Sequence, residues 1–106
     1  MIAADMKDIC KLILNSVYYS GHPIVMISPT HINENSNNLM DSFIGTKDYS
    51  MSLAPLYKKI AETLGLFYLD ASDVVITNEI DGLHWDKSQH NKFGLYLFKF
   101  IKSTIF

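Results

Sequence analysis

Pro23-Ile24-Val25-Met26-Ile27-Ser28-Pro29-Thr30 is the stretch that decides the fold class. Ile24 to Ile27 is a short continuous apolar run between prolines, the pattern of a strand covered on both faces, as parallel strands of α/β domains are. Its C-terminal end would present Ser28, Pro29 and Thr30 to any site gathered at the ends of such strands. Upstream, Ile2, Met6, Ile9, Ile13 and Val17 recur at spacings of three and four, which predicts a helix from about Ala3 to Tyr19 with one buried stripe, stopped by Gly21 and Pro23.

Downstream the periodicity disappears. Thr30 to Asp48 is an Asn-rich stretch containing His31, Asn33, Asn35, Asn37 and Asn38, long for a loop in a compact domain, and reads either as a lid or as unstructured chain. Leu53, Leu56, Tyr57, Ile60 and Leu64 then mark a second helix ending at Gly65, with Pro55 in its first turns or kinking it. Leu66 to Leu69 is a second strand, and Asp70 to Ile80 a loop. A last helix starts after Asp86, a good N-cap, and runs to about Thr104 with Phe93, Leu97, Phe100 and Ile101 facing inward.

This is an α/β order, and a right-handed crossover makes the two strands parallel neighbours. Two parallel strands do not form a stable sheet alone, so one edge, that of the Ile24 strand, calls for a partner.

At 106 residues, 48% hydrophobic and 19% charged, the chain is long enough for one domain and too apolar for disorder. A formal charge of -2, a pI near 6.0 and scattered lysines give no footprint for nucleic acid or an anionic membrane. No run approaches the roughly 18 apolar residues of a membrane span, and no signal peptide is visible. The single Cys10 cannot form an intrachain disulfide and reads as a packing residue of the first helix, which favours the cytoplasm.

The chemistry concentrates in Asp81-Gly82-Leu83-His84-Trp85-Asp86-Lys87-Ser88-Gln89-His90-Asn91-Lys92-Phe93-Gly94. An Asp three residues before a His, on a turn opened by Gly82, can bring its carboxylate onto the Nδ1 proton of the imidazole and leave Nε2 free as a general base. With eight Asp and four His in the chain, chance alone supplies about 0.3 such pairs, so the spacing by itself decides little. His31, beyond the end of the first strand, is a candidate substrate contact. His84, His90, Asp81 and Asp86 fit no common metal-ligand spacing, and neither metal nor cofactor is expected. Trp85 reads as a residue packing the loop onto the core.

The Asp81–Gly94 block resembles the last conserved block of the SGNH/GDSL hydrolases, Asp-Gly-(aliphatic)-His-(apolar)-Asp leading into a C-terminal helix. Ser50-Met51-Ser52-Leu53-Ala54-Pro55-Leu56-Tyr57-Lys58-Lys59-Ile60-Ala61 with Leu69-Asp70-Ala71, and Ile24-Val25-Met26-Ile27-Ser28-Pro29, are similar to the preceding helix and strands in that family's arylesterase-like and carbohydrate-esterase-like branch. The resemblance implies a single domain over residues 1–106: the C-terminal part of a three-layer, flavodoxin-like α/β fold with a short parallel sheet flanked by helices.

It also implies a serine esterase acting on short acyl esters, with Asp81 and His84 as two members of a Ser-His-Asp triad. The family's Gly-Asp-Ser and Gly-x-Asn-Asp blocks, which carry the nucleophile and oxyanion donors, are not in this sequence; Ala4-Asp5-Met6-Lys7 is similar to the stretch just after the second of them. The expectation is therefore an esterase fragment, inactive alone, that acts on a small ester once completed by a missing N-terminal half. The alternatives are a non-catalytic scaffold that homo-oligomerises and one half of a split esterase.

Overall fold

The computed structural model describes residues 2–36 and 38–106; Met1 and Asn37, one of the asparagines of the expected loop, lie outside the described residues. Three helices, α1 (Ile2–Leu14), α2 (Lys47–Leu64) and α3 (Lys87–Phe100), alternate with two strands, β1 (Val25–Ser28) and β2 (Phe67–Asp70). The strands pair in parallel, Val25 with Phe67 through Ser28 with Asp70. Among the described residues they are the whole sheet, so each has one edge unpaired.

Alternation along β1 divides the core, because successive side chains leave opposite faces of a strand. Met26 enters a cluster with Ala3 and Cys10 of α1 and Leu53, Tyr57 and Ala61 of α2. Ile27 points the other way, toward Ala71, Val75 and Phe93, the last from α3. The result is three layers with the sheet in the middle. Ser28, fully buried, and Tyr68 share a 2.7 Å hydrogen bond, and the Tyr68 hydroxyl donates to the Ala54 carbonyl at 3.0 Å. The Tyr68 proton is thus committed to α2, Ser28 is the donor in the shared bond, and one phenol ties β1 and β2 to α2. Burial pushes the Tyr68 hydroxyl pKa up.

α2 begins earlier than its apolar spacing shows, at Lys47, and runs on through Pro55, which lies mid-helix instead of in the first turns. It ends where expected, on Gly65 in the left-handed region (φ 72°), whose N–H donates to the Ala61 carbonyl. Asp86 occupies the N-cap position of α3 in extended conformation without a side-chain capping bond; its carbonyl accepts from the N–H groups of Gln89 and His90 instead. Phe93 of the inward set is buried, Leu97, Phe100 and Ile101 are half-buried, and Ile101–Ile105 widens into a π turn.

α1 departs most from expectation. It ends at Leu14, more than a turn short of Tyr19. Beyond it the Ser16 hydroxyl accepts the N–H of Tyr18, a local bond that competes with helix continuation, and Val17 and Tyr18 are more than 90% exposed. The expected stripe is also corrected. Ile2, Ile9 and Ile13 face solvent, and the residues actually covered are Ala3, Cys10 and, partly, Met6. Small side chains let α1 seat against α2, and the larger residues turn outward because nothing among the described residues lies over that side.

Candidate active site

The chain between Ala71 and α3 folds back over the C-terminal ends of both strands, and the Asp81–His84 turn lies within it. Gly82, buried at φ 73°, makes the turn; a Cβ there would run into the Asn33 carbonyl. The Asn33 N–H donates to the Gly82 carbonyl at 3.0 Å and the Asn38 N–H to the Ile80 carbonyl at 2.7 Å, so the described part of the Asn-rich loop is a buttress beside this turn.

Asp81 Oδ1 accepts the N–H groups of Leu83 at 2.8 Å and His84 at 3.0 Å, while Oδ2 lies 2.6 Å from His84 Nδ1. These bonds, the His84 amide first, then the Leu83 amide and the imidazole, hold the Asp81 carboxyl down at about 2. The carboxylate is therefore ionised at neutral pH and can only accept, so Nδ1 carries the proton and Nε2 presents its lone pair outward. No hydrogen bond engages Nε2 among the described residues. His84 is 78% exposed and Asp81 32%.

His84 lines a cleft of about 590 Å³ whose walls are largely apolar, with Ile2, Pro29, Phe43, Tyr49, Leu53 and Leu83 among them. Ser42 and Ser50 also line it, but the Ser50 hydroxyl is committed to the Lys47 carbonyl at 2.6 Å and to the Ile32 N–H, and Ser42 makes no hydrogen bond to His84 among the described residues. Cys10 is buried in the α1–α2 core with its thiol pKa raised by desolvation, the opposite of what a nucleophile needs.

His31 is not brought to this cleft. It lines an adjoining cavity of about 300 Å³ with Lys47, Ser72 and Glu79, which shares Thr30 and Ile32 with the cleft, and its N–H donates to Ser72 Oγ at 2.7 Å. Trp85 packs as a prop: Nε1–H donates to Thr30 Oγ1 at 2.9 Å and the ring lies against Phe93 and His90, with centroids 5.1 and 5.2 Å away. The cleft walls from Ser42 to Tyr49 have no periodic or motif signal in the sequence. Among the described residues no group of three or more His, Cys, Asp or Glu could hold a metal ion, and no helix is long and apolar enough to cross a membrane.

Solved structures of similar fold include a protein assigned as an arylesterase from Agrobacterium tumefaciens (TM-score 0.84, 23% identity, covering 94% of this chain and 49% of that one). The aryl esterase of M. smegmatis is also similar (TM-score 0.81, 22% identity, covering 96% of this chain and 50% of that one). So is a carbohydrate acetylesterase family member from Sinorhizobium meliloti (TM-score 0.79, 23% identity, covering 94% of this chain and 49% of that one). The three helices and two-stranded parallel sheet of the chain match part of the α/β fold of these structures. The chain spans about half the length of these structures. At such identities the likeness speaks to the fold; the sequence matches no protein-family model and no curated protein.

Proposed function

We propose that residues 1–106 are the C-terminal part of an SGNH esterase domain and supply the Asp-His arm of a Ser-His-Asp triad. The observation that carries this is the Asp81 carboxylate 2.6 Å from His84 Nδ1, on a histidine that lines the cleft. In the completed site a serine from the remaining half attacks the ester carbonyl while Nε2 takes its proton. The tetrahedral intermediate then expels the alcohol, which receives that proton from His84. Water attacks the acyl-serine by the same route, and the acid leaves with serine restored. Asp81 stays ionised and stabilises the imidazolium.

The esterases of similar fold support short acyl esters, acetylated sugars among them, as the substrate class. The lone, buried Cys10 supports a reducing, cytoplasmic setting. Among the described residues no serine hydrogen-bonds to His84, which supports a chain that is inactive by itself. The test is hydrolysis of p-nitrophenyl acetate by the purified chain and by His84→Ala, each alone and with a separately expressed serine-bearing half of an SGNH esterase. Turnover should appear only on mixing and vanish in the variant; mixed activity that survives His84→Ala would contradict the reading.

A second reading, a non-catalytic scaffold that homo-oligomerises, is favoured by the apolar side of α1 left uncovered among the described residues and by the unpaired edges of the two-stranded sheet. Sedimentation of the isolated chain separates the two, because a stable dimer that excludes the serine-bearing half supports the scaffold.

A further inference from the structure

The segment that carries Asp81 and His84 closes on Asn78. The backbone N–H of Asn78 donates to the His84 carbonyl at 2.8 Å, and its carbonyl accepts from the Gly82 N–H at 3.2 Å. Its side-chain oxygen accepts two further bonds, from the N–H groups of Ile80 and Asp81, each at 2.9 Å. Two N–H donors aimed at one atom fix it as the amide oxygen and not the nitrogen. One residue thus ties the start of the turn to its end and also holds its middle. The Asp81 N–H bound to Asn78 belongs to the residue whose carboxylate grips the imidazole, so the orientation of the peptide between Ile80 and Asp81 sets where that carboxylate points.

We infer that Asn78 is a positioning residue for the Asp81–His84 pair, acting through its side-chain oxygen on the Ile80–Asp81 peptide. The catalytic consequence rests on the proposed function, whereas the effect on the imidazole does not. An Asn that merely initiates a turn contributes stability and nothing more. A positioning residue also determines the tautomer of His84, because Nδ1–H is favoured only while the Asp81 carboxylate is in place to accept it.

The measurement is the tautomer of His84 in the intact chain, read from its two ring-nitrogen shifts, in the unmodified protein, Asn78→Leu and Asn78→Asp. The unmodified chain should show Nδ1–H. Asn78→Leu, similar in size but without an acceptor, should shift the ring toward the Nε2–H form of a free imidazole, and Asn78→Asp, whose carboxylate oxygen can accept both N–H groups, should restore Nδ1–H. An unchanged tautomer in Asn78→Leu, or no restoration by Asn78→Asp, overturns the inference.

If Asn78→Leu does not fold, amide exchange in the unmodified chain decides. The Ile80 and Asp81 N–H groups should exchange at least about tenfold more slowly than that of exposed Glu79, and equal rates overturn the proposal. In the completed esterase, Asn78→Leu should lower kcat by about tenfold to a hundredfold with KM little changed. A tautomer that shifts while kcat stays constant would uphold the positioning role and count against the esterase reading.

Discussion

α1 and the turn from Asn78 to His84 are built on opposite terms. The turn is short and irregular, yet its geometry is closed from within, by Asn78 and Asp81, and buttressed by Asn33. α1 is thirteen residues of regular helix, yet only one side of its apolar surface is covered. At about 100° per residue, Ile2, Ile9 and Ile13 fall within about 40° of one another, beside the covered arc of Ala3 and Cys10. The proposed catalytic arm is therefore closed by its own hydrogen bonds, whereas the helix keeps an apolar side uncovered among the described residues.

The comparison can be broken most decisively at His84. In the completed domain, His84→Ala should lower kcat by about 10⁴-fold or more while leaving the fold intact, since the side chain is largely in solvent. Circular dichroism and p-nitrophenyl acetate turnover on the same sample check both halves of that statement. Next in size is Gly82→Ala, which sets a Cβ against the Asn33 carbonyl at a backbone angle that side chains rarely adopt. It should cost about 2 kcal/mol in urea unfolding, and a loss of only a few tenths would show that the buttress gives way easily.

α1 sharpens the contrast from the other side. Ile9→Lys and Ile13→Lys should change the stability of the isolated chain by no more than about 0.5 kcal/mol, because both side chains are nearly half exposed, but they should abolish association with the serine-bearing half. Cys10→Lys, on the covered arc of the same helix, should unfold the chain outright.

The smallest expected effect is on acid stability. The Asp81 pKa is lowered in the folded chain to about 2 from an unfolded value of about 3.9, so its contribution is fully present above pH 4 and is lost as pH falls toward 2. Asp81→Asn should flatten that part of an acid-unfolding curve.

How far the sequence could be read depends on the same contrast. The two strands, their parallel pairing and the stop at Gly65 were legible because each rests on a local signal: an unbroken apolar run or a residue that tolerates positive φ. The Asp81–His84 pair was legible through the block around it, since the three-residue spacing alone is what chance supplies, and Gly82 then lets the carboxylate turn back onto Nδ1. The buried side of α1 was not, since periodicity marks an apolar arc without saying which part of it finds a neighbour; small residues such as Ala3 and Cys10 carry little hydrophobic signal and yet sit deepest. The cleft walls at Phe43 and Tyr49, and the placing of His31 in an adjoining cavity, depend on how an aperiodic loop is pinned by Ser50 and Ser72 across the fold, and no local pattern records that.

The central claim, that His84 is a general base held by Asp81, is tested most directly by the pH dependence of ester hydrolysis in the completed domain. Histidine changes charge between pH 5 and 8, so kcat/KM should climb across that range along a single titration as the imidazole loses its proton. A rate that stays flat from pH 5 to 8 would contradict it.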